Sequence, residues 1–298
     1  MTGEKPIVSV VMITYMHEQF IADAINGVLI QEVDFPVELI VADDCSPDGT
    51  EKIVKSFESH PNFLRIKYSK HSKNIGMMPN FIWAMEQANG KFIALCEGDD
   101  YWTDPLKLQK QVDFLEKNNG YALSFHRTVE LNPGGEIKAS AHTINSNQSK
   151  DFDFFDLTKS NFIHTCSAVF RRELIELPEW IKNMAYGDYP LWLLLANKGK
   201  VNYCSDSMAV YRKGVGVMSQ SYSNTASEKW LELLYILKNH FMINDFNNQI
   251  NGTLDIIAKS RLVNSFSSPK FLAKNIRFST LLLSLLFKMK ALFFRKFY

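Results

Sequence analysis

Two apolar runs of this chain each end in acidic residues, and this pattern limits the possible folds more than any other feature. Residues 39–42 are followed by Asp43 and Asp44, and residues 92–96 are followed by residues 97–100, Glu-Gly-Asp-Asp. Short apolar runs bounded by polar turn residues predict strands buried on both faces, as in parallel sheets covered by helices. Ligands of such sheets bind beyond the carboxyl ends of the strands, and hard cations prefer carboxylate oxygens. The pattern therefore favours a metal-assisted nucleotide site.

An ordinary structural role for these acidic residues is the alternative. Asp-Asp pairs also begin turns and cap helices, and Asp48-Gly49 is a turn signal. One cluster alone would favour that interpretation. Two clusters, each at the end of a strand and each before a helix, favour the functional one.

Strand and helix patterns alternate along the chain up to about residue 126. Strands are predicted at residues 7–13, 37–42, 64–68, 92–96 and 121–126, and helices at residues 21–29, 50–57, 79–88 and from 104 onward. This alternation predicts an α/β fold with a parallel or mixed sheet. Residues 131–160 are rich in Gly, Ser, Asn and Asp, which predicts a long and partly mobile connection.

The pattern changes in the last third of the chain. Further strands are predicted at residues 164–170, 201–203 and 208–211, with an apolar helix at residues 188–197, whereas only helical stripes follow residue 225. We therefore expect residues 1–218 to form the α/β domain and residues 219–298 to form a helical C-terminal extension.

The positive charge of the chain is concentrated in its tail. The formal net charge is +1, but residues 270–298 hold seven Lys or Arg and no Asp or Glu, which leaves −6 for the rest. An acidic body argues against nucleic-acid binding. The tail is also apolar at residues 278–287, which predicts contact with an anionic membrane surface, where each basic residue contributes about 1 kcal/mol. A packed helix whose lysines face water is the alternative.

The cysteines and the N-terminus predict a cytoplasmic protein. Cys45, Cys96, Cys166 and Cys204 are too widely spaced for a zinc motif and too few for a disulfide framework. Residues 1–6 lack the basic and apolar segments of a signal peptide. We expect reduced thiols and a cytoplasmic location, peripheral to the inner face of the membrane if the tail binds lipid.

The order and spacing of several motifs closely resemble those of the family 2 glycosyltransferases over residues 6 to about 218. The matching segments are residues 10–15, 24–31, 38–50, 74–76 and 97–100. The resemblance implies a GT-A fold, which is a Rossmann-like, mainly parallel sheet flanked by helices. It also implies a nucleotide-diphosphate sugar donor, a divalent metal such as Mn²⁺ or Mg²⁺, and inversion at the sugar carbon.

The resemblance assigns the donor nucleotide to residues at the ends of the first strands. Thr14 and Tyr15 close the first strand beside the base, and Asp43 hydrogen-bonds the uracil or the ribose. Asp44 and Asn74 belong to the same donor site. A core aromatic role for Tyr15 and a helix-capping role for Asp43 are the alternatives.

The resemblance assigns the metal to the second acidic cluster, where Glu97-Gly98-Asp99 takes the place of the Asp-x-Asp signature. Asp99 is the metal ligand, and the metal neutralises charge on the departing diphosphate, a contribution of several kcal/mol. Glu97 is one methylene longer than the usual Asp, which favours ribose contact or indirect support of the metal. Asp100 is expected at the rim of the site or as a cap of the following turn.

Two further positions complete the predicted site. Asp188 stands where the family places the base that removes the acceptor proton, although Gly187 replaces the frequent preceding Glu; a helix N-cap is its alternative role. Arg212 matches the family's Tyr-Arg segment and is expected to meet diphosphate oxygens. Many members carry a histidine shortly after this arginine, whereas this chain has Gly214 and Gly216.

The predicted function is inverting transfer of a hexosyl or N-acetylhexosaminyl group from a UDP-sugar to a glycan or lipid-linked acceptor, in surface-polysaccharide biosynthesis. A catalytically silent homologue that binds a nucleotide-sugar or scaffolds partners is the alternative, motivated by Glu97, Gly187 and the missing histidine. A nucleotidyltransferase is disfavoured because residues 14–17 contain no glycine for a phosphate loop after the first strand.

Overall fold

The computed structural model describes residues 5–60, 66–140, 144, 146–215 and 226–266, with side chains to residue 257. The chain divides into two compact units, Met1–Ser221 and Tyr222–Tyr298. The basic tail at residues 270–298, with its predicted membrane contact, lies outside the described residues, as does the predicted domain boundary at residue 218.

The first four strands form the parallel part of one mixed sheet. β1 (Val8–Thr14) pairs in parallel with β2 (Val37–Asp43) and with β4 (Phe92–Leu95), and β2 pairs in parallel with β3 (Ile66–Lys70). Every residue of β2 and β4 is buried, as expected for strands covered on both faces. The carboxyl ends of all four strands therefore lie at the same edge of the sheet.

The helices of this unit lie close to the predicted positions, except for the short helix at residues 154–157, which was not predicted. They are α1 (Ile21–Leu29), α2 (Thr50–Ser56), α3 (Met77–Glu86), α4 (Lys107–Lys117), α5 (Phe154–Leu157) and α6 (Asp188–Ala196). In α1, residues at helical spacing such as Ile21, Ile25 and Val28 join the core beside β1 and β4. α6 is buried nearly all round, which explains its uniformly apolar sequence.

The remaining strands extend the sheet with mixed directions. They are β5 (Tyr101–Trp102), β6 (Tyr121–Leu131), β7 (Ile137–Ala139), β8 (Lys150–Phe152), β9 (Val169–Arg171) and β10 (Lys200–Arg212). The main path of the sheet runs β3-β2-β1-β4-β9-β6-β10-β5, with β7 beside β6 and β8 beside β10. β9 runs antiparallel to both β4 and β6, so it joins the first parallel part to the parallel pair β6 and β10.

The two short strands predicted at residues 201–203 and 208–211 are a single strand of 13 residues, β10. Its register against β6 shifts between Cys204 and Ser207 and again between Ser207 and Ala209. The polar residues 205–207 therefore form a bulge within the strand rather than a turn between two strands. The predicted strand at residues 164–170 is also shorter, because Thr165–Ser167 form a 3₁₀ turn before β9.

The prediction of a long mobile connection at residues 131–160 is wrong for its described part. This segment contains β7, β8 and α5, and Asp153 and Asp156 form a capping box at the start of α5. Phe152 and Leu157 are buried there. Isolated apolar residues in a polar segment carry no periodic signal, and pairing with β6 and β10 orders them.

The second unit is helical in its described part, as the sequence predicts. α7 (Ala226–Phe241) buries a leucine stripe formed by Leu231, Leu234 and Leu237, and α8 (Asn247–Phe266) follows it. Among the described residues, none of the helices combines the length and the apolar character that crossing a membrane requires.

Candidate functional site

Three carboxylates gather in the loop that follows β4, which we call the acidic loop (residues 97–100). Glu97, Asp99 and Asp100 each offer one oxygen, and these oxygens lie within 4.8 Å of one another. The Gly98 N–H donates to the Ile13 carbonyl at 3.0 Å, which fastens the loop to the end of β1. The structure thus brings the predicted metal ligand Asp99 to the carboxyl edge of the parallel strands.

Gly98 allows the acidic loop to lie directly against the residues after β1. A Cβ at this position would lie 2.8 Å from His17 Nδ1 and 2.9 Å from Thr14 Oγ1. Any larger residue would push the loop outward and displace the flanking carboxylates. The close approach explains why a glycine separates Glu97 from Asp99.

The acidic loop concentrates negative charge in a buried place. Burial raises the pKa of Glu97 and of Asp100 well above the usual carboxyl range, and the nearby Asp99 raises both pKa values further. Asp100 Oδ2 is buried and receives no N–H or O–H donor within the described part of the chain. Buried carboxylates that repel one another are stabilised by a cation, so this donor set fits a divalent metal ion.

Asp100 does not lie at the rim of the site, so that prediction is wrong. Asp100 is 1 % exposed, and its Oδ1 accepts a hydrogen bond of 2.8 Å from the backbone N–H of Arg212. The end of β10 draws this carboxylate beneath the loop. Asp100 therefore contributes to the floor of the site.

Arg212 fastens the acidic loop to two other elements. Its guanidinium donates to the Asp99 carbonyl at 2.9 Å and forms an ion pair with Asp23 of α1. The guanidinium also lies 4.5 Å from the centre of the Tyr101 ring. Arg212 is 9 % exposed, and its contact with a diphosphate stays a prediction.

Asp188 is the first residue of α6 and lies near the acidic loop. Its carboxylate accepts a hydrogen bond of 3.0 Å from Asn161 Nδ2. Burial raises the pKa of Asp188, and its charge in turn adds to the raised pKa of Glu97. A carboxylate with a raised pKa is a stronger base than an exposed one, which suits proton removal. The N-cap residue of α6 is Gly187, so the alternative role of Asp188 as a helix N-cap is wrong, although its place in the first helical turn is favourable for a negative charge.

The two acids at the end of β2 organise the neighbouring loops. Asp43 Oδ1 accepts from Ser46 N–H at 2.7 Å, and its Oδ2 accepts from the Tyr68 hydroxyl at 2.8 Å. The Asp44 carboxylate accepts from the N–H groups of Ile75 and Gly76, at 2.7 and 2.9 Å. Both carboxylates therefore have structural partners, and their contact with a nucleotide stays a prediction.

The other residues predicted to bind the donor lie at the same edge. Thr14 pairs in register with Asp43, and Tyr15 follows it, half-buried. Asn74 is exposed, and its Oδ1 accepts from Gly76 N–H at 3.1 Å. The structure thus brings the residues from β1, β2 and the loop before α3 to one edge of the sheet.

Three residues of the site were missed by sequence reasoning. Asp23 holds Arg212, Asn161 holds Asp188, and His17 Nε2 lies 3.9 Å from Asp99 Oδ2. Each comes from an element far away in sequence, and no spacing pattern marks it. His17 is 8 % exposed, and burial lowers its pKa, although the charge of Asp99 opposes that shift.

A mixed sheet with an acidic loop at the carboxyl edge of its parallel strands is the arrangement of the GT-A glycosyltransferases. The sequence model of Glycosyl transferase family 2 matches residues 9–177. The chain belongs to this family, as its motifs predicted.

Two relatives illustrate how far the similarity extends. A protein of Mycobacterium tuberculosis is 34 % identical over 220 residues, which are 72 % of this chain and 62 % of that protein. This chain thus spans less than two thirds of the length of that relative. The putative teichuronic acid biosynthesis glycosyltransferase TuaG of Bacillus subtilis is 27 % identical over 249 residues, which are 81 % of this chain and 93 % of TuaG.

Solved structures confirm the predicted GT-A fold. Residues 1–349 of Staphylococcus aureus TarS, in complex with UDP-GlcNAc, match with a TM-score of 0.61 at 22 % identity, covering 85 % of this chain and 70 % of that one. The mannosyltransferase PcManGT of Pyrobaculum calidifontis, in complex with GDP-Man and Mn²⁺, matches with a TM-score of 0.59 at 15 % identity, covering 97 % and 81 %.

Proposed function

We propose that this protein transfers a sugar, with inversion, from a UDP-sugar to a hydroxyl of a glycan or lipid-linked acceptor. The observation that carries the proposal is the convergence of the acidic loop and Asp188 at the carboxyl edge of the parallel strands. A leaving diphosphate needs positive charge, and an attacking hydroxyl needs a base. The site offers a place for a cation and a half-buried carboxylate near it.

The residues divide the chemistry between them. Glu97, Asp99 and Asp100 would hold a divalent cation, which supplies the positive charge that stabilises the departing diphosphate. Asp188 accepts the proton of the acceptor hydroxyl as the new bond forms between that oxygen and the anomeric carbon. The bond from the sugar to the phosphate oxygen breaks on the opposite face, and the electron pair leaves with the diphosphate.

The nature of the donor and of the acceptor is supported by the related proteins. TarS was crystallised with UDP-GlcNAc, and PcManGT with GDP-Man and Mn²⁺. The name of TuaG places that relative in teichuronic acid biosynthesis. These relatives support a UDP-linked donor, a metal such as Mn²⁺ and a role in surface-polysaccharide assembly.

We place the reaction in the cytoplasm, at the inner face of the membrane. All four cysteines are free thiols, and Cys96 and Cys166 are buried beside the acidic loop. Free thiols are maintained in a reducing compartment. The basic, apolar tail at residues 270–298 would bring the site to lipid-linked acceptors.

The test is a donor panel with matched variants. Purified protein is incubated with UDP-, GDP- and dTDP-sugars, with Mn²⁺ or with a chelator, and nucleotide release is measured. We expect metal-dependent release from one donor, a loss of at least about 100-fold in Asp188→Asn, and a loss in Asp99→Asn. Asp113→Asn, a change on the exposed face of α4, should keep full activity.

Two outcomes would contradict the proposal. Release that persists in Asp188→Asn would remove this residue from the reaction. Donor binding without turnover, even after lipid-linked acceptors are added, would instead establish the catalytically silent homologue, which the glycine at position 187 also suits.

A further inference from the structure

His17 faces the acidic loop from the segment between β1 and α1. Its Nε2 lies 3.9 Å from Asp99 Oδ2. This separation exceeds the range of about 2.7–3.2 Å for a hydrogen bond to nitrogen, so the imidazole and the carboxylate do not bond directly. Two atoms that each lie about 2.1 Å from one metal ion are separated by about 3.0–4.2 Å. The distance between the two atoms therefore lies within the range that a shared cation would span.

The backbone holds His17 firmly in this position. Its N–H donates to Thr50 Oγ1 at 3.1 Å, and its carbonyl accepts from the N–H groups of Phe20 and Ile21, which begin α1. The next residue back, Met16, donates its N–H to Ser46 Oγ at 3.0 Å. The backbone that carries the imidazole is therefore fixed before any ligand arrives.

The imidazole of His17 is buried with one ring nitrogen unpaired in the described part of the chain. The residue is 8 % exposed, and its Nδ1 is buried without a hydrogen-bond partner in the described part of the chain. Thr14 Oγ1 is also buried without a hydrogen-bond partner in the described part of the chain, and both atoms would lie within 2.9 Å of a Cβ on Gly98. Metal-bound histidines donate their second ring N–H to a neighbouring acceptor. Nδ1 of His17 has no such partner in the described part of the chain, so it is not committed to another hydrogen bond.

We propose that His17 is a ligand of the divalent cation that binds Asp99, through its Nε2. The inference rests on the proposed function for the presence of that cation, and it goes further by assigning a nitrogen ligand. Mg²⁺ is bound through oxygen, whereas first-row transition metals accept imidazole. The site consequently prefers Mn²⁺ over Mg²⁺.

The position of His17 also bears on the missing histidine after Arg212. The segment after Arg212 carries glycines where many family members have a histidine. His17 reaches the acidic loop from the opposite end of the domain sequence, between β1 and α1. An imidazole can thus enter the metal site from a different element.

The test is the electron spin resonance of Mn²⁺ bound to the full-length protein in the presence of UDP. A histidine ligand couples its ring nitrogen to the electron spin, and labelling all histidines with ¹⁵N changes the coupling without any substitution. We expect this nitrogen signal in the wild type and in His60→Gln, a change after the 3₁₀ turn Phe57–Ser59. The signal should disappear in His17→Gln.

Affinities provide a second measurement. His17→Gln should weaken Mn²⁺ binding by about tenfold or more and Mg²⁺ binding by less than about twofold. If His17→Gln does not fold, the labelled wild-type protein and His17→Asn carry the same test. A wild type without histidine coupling, or a coupling that persists in the variants, overturns the inference. Sugar transfer is not part of this readout, so its result is independent of whether any donor is cleaved.

Discussion

Met78 occupies the space that a side chain at position 187 would need. A Cβ on Gly187 would lie 2.3 Å from Met78 Sδ and 2.7 Å from its Cε. Met78 is itself 4 % exposed, so its thioether has little room to move away. The glycine before Asp188, where the family frequently has a glutamate, is therefore matched to a methionine at the start of α3.

The first prediction concerns this pair. Gly187→Glu should destabilise the protein by about 1–3 kcal/mol, because it overpacks a filled site. Met78→Ala should cost about 2–5 kcal/mol through the cavity it leaves. The double variant should lose less free energy of unfolding than the sum of the two single losses. The glutamate side chain would fill the cavity left by Met78→Ala, and the smaller alanine would leave room for it. Urea unfolding of the four proteins measures this coupling, and additive effects would show that the two positions are independent.

The second prediction concerns the base. The hydrogen bond from Asn161 lowers the pKa of Asp188 against the raising effect of burial. Asn161→Ala removes that donor, so the pKa of Asp188 should rise further. Since the base must be deprotonated, the acidic limb of the profile of kcat/KM against pH should move to higher pH. Donor cleavage measured between about pH 5 and 9 tests this shift, and an unmoved acidic limb would separate Asn161 from the base.

The third prediction concerns a buried lysine beneath the site. Lys107 is 0 % exposed, and its Nζ donates to Gln111 Oε1 at 2.9 Å and lies 4.0 Å from the centre of the Trp102 ring. Burial lowers the pKa of Lys107 to about 7. The unfolded chain keeps the ordinary value near 10.4, so between these two pH values it binds more protons than the folded protein. The contribution of Lys107 to stability therefore rises with pH from about 7 to about 10.

Lys107→Met should remove this dependence. We expect the variant to be more stable than the wild type at pH 7 by about 1–3 kcal/mol, because no charge needs to be buried. The difference should shrink as the pH rises toward 10. Unfolding by urea at several pH values measures both effects. If the difference in free energy of unfolding between the wild type and Lys107→Met does not change with pH, Lys107 does not titrate in this range.

The fourth prediction concerns backbone strain at the opening of the site. Met16 has a φ of +60° and is 54 % exposed. This left-handed conformation is unfavourable for methionine, whereas asparagine adopts it more readily. Met16→Asn should stabilise the protein by about 0.5–1 kcal/mol. Ile30→Asn, at an exposed position with a φ of −77°, should bring no gain and serves as the control in thermal unfolding.

Local sequence patterns predicted most of the first half of the fold. Apolar runs and helical stripes marked β1, β2, β4, α1 and α4, because each element carries its own periodicity. The patterns predicted two strands in place of β10, because the polar residues of its bulge resemble those of a turn. It also missed the order of residues 131–160, where a few apolar residues such as Phe152 and Leu157 gain their burial only from distant strands.

In the candidate site, too, local sequence patterns predicted some residues, whereas distant contacts determined the positions of others. Asp99 and Asp188 could be predicted from the sequence because each stands in a motif or before a helix, and their roles stay predictions. Asp100 was misplaced, because the N–H that draws it inward belongs to Arg212, 112 residues later. The ion pair of Arg212 with Asp23 joins residues 189 positions apart, and only the folded chain reveals it.

The contact between Arg212 and the acidic loop joins the loop to a residue that comes much later in the sequence. Its guanidinium reaches the Asp99 carbonyl across 113 residues of sequence. Contacts at such separations form late in folding, because a long loop must close first. While the protein is being synthesised, the acidic loop therefore leaves the ribosome long before the arginine that secures it. The nascent chain can complete the contacts of the acidic loop only after residue 212 has emerged, near the end of the first unit.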